Sequence, residues 1–301
     1  MSTALRAPDR PVMALLVRLF AVFALATMTV FIRALGQQHV GLVESMFYRN
    51  LFASPIVLGY IAVTAGVSSI RTAHFFQHVT RTIVGLIGMT LTFEAYRELQ
   101  LADATTIGFT SPIFATILAA TLLHEQVGIH RWSAVVLGFV GVLIVTHPGS
   151  STIPLRGAMI SLGSAFQIAL ISILLRQLGR TEAPATTAFW FCFLSALLTA
   201  PLMLWYARPH SLTEWALLGG LGLSGAFAQV ALTASVKLAP VSTVITMDYT
   251  SLIWATVFGF MLFDQFPAMS TWFGAPLIIG SGLYIAYREH VRGRAHGEPS
   301  S

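Results

Sequence analysis

Charge is what this chain has least of. Only 10% of its 301 residues are charged and 55% are hydrophobic, with a mean hydropathy of +0.76. A soluble domain carries about 25% charged residues, so this chain has too few to cover a water-facing surface. Lysine is nearly absent: Lys237 is the only one, and Leu238 follows it. That excludes a Walker A loop, which needs Gly-Lys-Ser/Thr to hold nucleotide phosphates. The single cysteine, Cys192, excludes an internal disulfide. Neither H-E-x-x-H nor G-x-S-x-G occurs. The net charge of +5 then reads as basic residues retained on one side of a membrane, not as a nucleic-acid footprint.

Apolar runs fill the space that charge leaves. About 20 apolar residues cross a bilayer as a helix. Ten such segments are predicted, roughly at 12–34, 41–65, 74–96, 101–123, 131–147, 156–178, 184–206, 212–236, 239–263 and 270–287. Turn and charge signals such as "GQQH", "HPGSSTIP", "GRTEAP" and "YARPHS" separate them. The first run lacks a convincing cleavage site and is expected to be retained. With the N-terminus in the cytoplasm, ten Arg and Lys residues fall on that side and four on the other, while Arg18, Arg49 and Arg81 lie within spans. Both termini are therefore expected to be cytoplasmic.

The chain repeats. "PVMALLVRLFAVFALATMTVFIRALG" (11–36) aligns without a gap with "PLRGAMISLGSAFQIALISILLRQLG" (154–179), matching Phe23 with Phe166 and Arg33 with Arg176. "SPIFATILAATLLHEQ" (111–126) aligns with "TSLIWATVFGFMLFDQ" (250–265), each ending in an acid and a glutamine. The Gly85/Gly88 spacing recurs as Gly222/Gly225. An odd number of spans per copy makes the second copy enter from the opposite face, which is the inverted repeat of secondary transporters.

Several stretches resemble the drug/metabolite transporter superfamily in its two-copy EamA form. They are "ESMFYRNLFASP" (44–55), "LADATTIGFTSPIFATILAATLLHEQVGIHRWSAVVLGFVGVLIVTHPG" (101–149), "LAPVSTVI" (238–245) and "GAPLIIGSGLY" (274–284). The resemblance covers nearly the whole chain. It implies an all-α integral membrane fold of ten helices in two inverted five-helix repeats, 1–150 and 151–301. It also implies a cavity lined by spans one to four and six to nine, with five and ten packed behind, and a place in a bacterial inner membrane. Where the first half has "FTSPIF" the second has "DYTSLIW", so the halves are not chemically equivalent.

The candidate site residues are the polar and aromatic groups inside spans. Asp248 lies about 13 Å into span nine at 1.5 Å per residue, and a carboxylate there must face protein or water. Arg81, at similar depth from the same side, is its expected partner. Arg49 and Glu94 form a second expected pair, and Glu44 is expected to be solvated. Gln167 and Gln229 offer amides to a polar ligand or to neighbouring helices. Tyr96, Trp190, Tyr249 and Trp254 offer rings to a planar substrate, packing being the alternative. Pro112 is expected to kink span four. His74 and His78 have i, i+4 spacing but no further ligand nearby, so no metal or other cofactor is expected.

These features point to a secondary transporter of a small polar or amphipathic metabolite, with a proton as candidate coupling ion through Asp248 or Glu94. Export of amino acids or their derivatives is the first expectation, and uptake of riboflavin or S-adenosylmethionine the alternative. A lipid-modifying enzyme would cluster its polar groups at one interface, and a scaffold needs no polar cavity. The expected partners are a small-molecule substrate and the bilayer, and the expected state is a monomer or weak homodimer.

Overall fold

The computed structural model describes residues 11–122, 124, 127–146, 153–179, 181–239 and 244–295. Arg6, Arg10, Glu125, Gln126, Arg180, most of "HPGSSTIP" and half of "LAPVSTVI" lie outside these residues. The side chains of Arg292 and Arg294 are likewise not described.

Every regular element described is helical. This follows from the solvent: in hydrocarbon each backbone N–H and C=O must be satisfied within its own segment. The helices are α1 (Pro11–Gln37), α2 (Leu42–Thr64), α3 (Phe75–Glu98), α4 (Leu101–Gly108), α5 (Ser111–Leu122) and α6 (Ile129–Thr146) in the first half. The second half holds α7 (Leu155–Leu178), α8 (Pro184–Thr199), α9 (Met203–Tyr206), α10 (Leu212–Leu238), α11 (Ser251–Phe263) and α12 (Met269–Ala295). They make ten membrane crossings, five per half. Among the described residues, eight helical segments are long and apolar enough to span by composition alone. The other two are α3, which carries Gln77, His78, Arg81 and Glu94, and span nine, which is interrupted.

Span four, read from the sequence as one helix, is two. α4 ends at Gly108 and α5 starts at Ser111, placing Pro112 in the first turn of α5, where its missing N–H costs nothing. Span nine enters as a 3₁₀ turn over Ile245–Thr250 before α11 begins. α11 stops at Asp264, whose backbone is left-handed (φ 52°), and Gln265 N–H closes the end on the Gly259 carbonyl at 2.9 Å. The acid and glutamine at the end of this repeat segment are thus a helix stop.

The packing is mirrored between halves. α1 lies along α10 as α7 lies along α3; α1 meets α11 as α7 meets α5; α2 packs on α8 and α6 on α12. The matched Phe23 and Phe166 make matched contacts, Phe23 edge-on to Trp254 at 4.9 Å and Phe166 edge-on to Phe114 at 5.8 Å. α6 and α12 touch backbone to backbone. A Cβ on Gly274 would sit 2.6 Å from the Gly141 carbonyl oxygen, the small-residue contact that membrane helices use in place of a hydrophobic drive.

We call the face on which α1 begins and α12 ends the terminal face. The other is the opposite face.

Candidate functional site

Ion pairs join the two halves near both faces. In the terminal-face half of the bundle, Arg18 on α1 donates to both carboxylate oxygens of Asp248, Nε to Oδ1 at 2.6 Å and Nη2 to Oδ2 at 2.5 Å. This forked geometry is the strong form of an arginine–carboxylate contact. On the same face Glu182 accepts from the Thr72 hydroxyl at 2.5 Å and lies 4.0 Å from His78. Trp190 closes this corner, donating its Nε1–H to the Ile70 carbonyl at 2.9 Å.

The opposite face carries two clusters. In one, Arg156 of the second half reaches Glu98 at 2.8 Å and Glu94 at 3.7 Å, both on α3. Beside it Arg33 donates to the carbonyls of Tyr96, Arg97 and Leu99. With its amide oxygen turned toward the guanidinium, Gln265 accepts from Arg33 at 2.6 Å. In the other cluster Glu44, 1% exposed, accepts from the backbone N–H groups of Gly41 (2.9 Å) and Arg208 (3.0 Å), with His210 Nε2 at 3.1 Å. Arg208 also holds Glu214 at 2.7 Å.

Two further buried arginines have no carboxylate among their described contacts. Arg49 on α2 and Arg81 on α3 are 6% and 9% exposed. Both guanidiniums face the Phe191 ring, Arg81 Cζ at 3.8 Å and Arg49 Cζ at 5.9 Å from its centroid. Arg49 Nη1 donates to Asn50 Oδ1 at 2.8 Å and approaches Cys192 Sγ at 3.9 Å. Arg49 Nε, Arg81 Nε and Arg81 Nη1 are buried without a hydrogen-bond partner. A glycine from each half makes room. A Cβ on Gly85 would lie 2.8 Å from Phe191, and one on Gly225 2.9 Å from Arg49 Nε. Desolvating an unpaired cation costs several kcal/mol, so this arrangement is paid for elsewhere in the fold.

The expected pairings are corrected accordingly. Asp248 meets Arg18 and not Arg81, because α3 packs on α7 and α8 while span nine packs on α1 and α4. Equal depth does not make two helices neighbours. Glu94 meets Arg156 and, at 4.0 Å, Arg97 rather than Arg49, whose side chain turns toward α8. Glu44 is not solvated: the loop before α10 folds over it.

The remaining candidates are dispersed. Tyr249 packs on Phe109 at 5.0 Å. Trp254 packs on Phe23 and Phe258. Tyr96 hydroxyl lies 3.3 Å from Thr105 Oγ1. Gln167 is half-buried against Gly88, and Gln229 is half-buried on α10. Three important groups escaped the sequence reading. Arg18 and Asp103 obey the same rule that singled out Asp248, a charge inside an apolar run, and Asp103 accepts from the Thr271 hydroxyl at 2.6 Å to tie α4 to α12. Phe191, one of many phenylalanines, carried no signal.

The comparisons agree with this architecture. A solved crystal structure superposes with a TM-score of 0.60 at 16% identity, covering 95% of this chain and 99% of that one, which shows a shared fold. An S-adenosylmethionine uptake transporter of Rickettsia prowazekii is 28% identical over 82% of this chain and 83% of its own length. A riboflavin transporter of Vibrio cholerae is 29% identical over 79% and 80%, and one of Rhizobium johnstonii 30% identical over 76% of each. The model of the EamA-like transporter family matches residues 12–147 and again 155–287. Two copies of that unit account for nearly all of this multi-pass membrane chain, which belongs to the EamA-like transporter family within the drug/metabolite transporter superfamily.

Proposed function

We propose that this protein is a secondary active carrier that takes up a small, partly planar metabolite across the bacterial cytoplasmic membrane by alternating access. One observation carries the reading. The described ion pairs between halves lie toward the two faces, Arg18–Asp248 and His78–Glu182 at one, Arg156–Glu98 and Glu44–Arg208 at the other. Each set can part while the other holds, which is what opening to one side at a time requires. The halves 1–150 and 151–301 are the moving bodies. The Arg and Lys count supports a cytoplasmic terminal face. One chain supplies both sides of each gate, so a monomer suffices.

The named relatives support uptake over amino-acid export, and a flavin or nucleoside-derived substrate over a free amino acid. Asp248 is the proposed coupling group, releasing Arg18 when a proton or substrate takes the carboxylate. The test is accumulation of labelled riboflavin and of labelled S-adenosylmethionine by cells producing the protein, with and without a proton uncoupler. Accumulation of one of them, lost with the uncoupler, is expected. Accumulation of neither, with faster loss of a preloaded amino acid, would overturn substrate and direction together. A reporter fused after Ser301 should be active only in its cytoplasmic form.

A further inference from the structure

The membrane interior holds a second site that the gates do not explain. Arg49 and Arg81 bring two positive charges to one phenylalanine ring with no carboxylate among their described contacts. Three of their N–H donors are buried and unpaired. Elsewhere in the described interior, charged groups have partners: Arg18 has Asp248, and Asp103 has Thr271. A fold that merely needed bulk here would use leucine or methionine, which carry no desolvation cost.

Arg81 is also reachable. It lines a cavity of about 280 Å³ between α3 and α7, together with Thr80, Gln77, Gln177 and Leu174. That cavity lies toward the terminal face. Gly85 of the first half and Gly225 of the second keep Cβ atoms away from Phe191 and from Arg49 Nε. On the inner side the Phe191 ring packs in an apolar cluster with Met89. Two neighbouring guanidiniums with unpaired N–H donors, one of them lining a cavity of mixed polar and apolar walls, are the chemistry that recognises an oxyanion attached to an apolar body.

We infer that Arg49 and Arg81 form a binding site for the carboxylate or phosphate of a soluble amphipathic metabolite, reached through the cavity beside α3 and α7. The inference rests on the transporter reading only in calling that metabolite the cargo. The binding itself needs no transport.

The experiment uses the purified full chain in lipid-free maltoside micelles and reads melting temperature. The probes are phenylacetate, phenyl phosphate and the neutral phenylacetamide. Phenylacetate, phenyl phosphate or both should raise the melting temperature by several degrees, and phenylacetamide should not. Whichever anion acts upholds the site and names its chemistry. Arg81→Met should melt higher than the parent without ligand, because an unpaired cation is gone, and should lose the anion response. Arg49→Met should behave in the same way. Equal shifts from phenylacetamide, or an unchanged anion response in both variants, would overturn the site. So would failure of both variants to fold, which makes the arginines structural. A shift from added phosphatidylglycerol that neither soluble anion reproduces would also overturn it, giving the pair to a lipid headgroup. Anion binding in a protein that carries nothing would refute the transport reading and keep this one.

Discussion

Arg18 holds both oxygens of Asp248, at 2.6 and 2.5 Å, across the seam between the two halves. The Asp248 side chain is 36% exposed and that of Arg18 12%, so the pair is only partly enclosed by protein and its net worth to stability is discounted to about 1 kcal/mol or less. On the proposed function its effect is expected in turnover. Arg18→Gln and Asp248→Asn should each slow uptake about tenfold, equivalent to about 1.4 kcal/mol of barrier, while shifting the melting temperature little. The double variant should be no slower than either single one, since either change breaks the same contact. Full multiplication of the two defects in an uptake assay would show that the residues act apart.

Glu44 presents the opposite case. It is buried and accepts two backbone N–H groups as well as the His210 contact. Glu44→Ala would strand these donors, at about 1–3 kcal/mol for each buried group left unsatisfied. The expected outcome is a drop of several degrees in melting temperature with Arg18–Asp248 intact. Glu44→Gln should recover part of the loss by accepting through its amide oxygen. Equal melting of Glu44→Ala and the parent would remove the cluster's structural role.

The α6–α12 contact allows a paired test. Gly274 abuts the Gly141 backbone, whereas nothing lies within 4 Å of a Cβ on Gly280. Gly274→Ala should push the helices apart and destabilise by about 1–3 kcal/mol, the usual cost of overpacking. Gly280→Ala, on the same helix, should be neutral or stabilising by up to about 1 kcal/mol, because alanine is the better helix former. Identical melting shifts would mean that the contact does not limit stability.

Asp264 ends α11 in the left-handed region at φ 52°. For a side-chain-bearing residue that region costs about 1–2 kcal/mol, and aspartate tolerates it better than most. Asp264→Gly should therefore raise thermal stability slightly, and Asp264→Val should lower it. Both substitutions are made at one exposed position, so buried contacts change little and the order reports chiefly the backbone. Reversal of that order in a melting experiment would refute the strain.

Spans were legible because their signal is one-dimensional. Apolar length marks a crossing, and the gapless match of 11–36 with 154–179 exposed the inverted repeat. Depth was legible too, since Asp248 and Arg81 can be counted along their helices. Direction around the helix axis was not. Arg81 faces Phe191 and Asp248 faces Arg18 because of which helices neighbour each other, and neighbour choice depends on the assembled bundle. Glu44 was misjudged for a similar reason: distance from a span end does not reveal that Arg208 and His210 will fold over it. The interruption of span four could be half-read from Pro112, whereas the 3₁₀ entry to span nine, Ile245–Thr250, has no proline within it.

The contact between Arg18 and Asp248 also says something about the origin of a duplicated chain. In the repeat alignment Arg18 stands opposite Ser161, and Asp248 stands opposite Phe109. Two copies of the first half would set Arg18 against a phenylalanine, and two copies of the second would set Asp248 against a serine. Each half therefore prefers the other to its own twin. A gene encoding one such half could once have served as a self-pairing dimer. After these substitutions a half paired with its own twin loses this contact, and only the two different halves together form it.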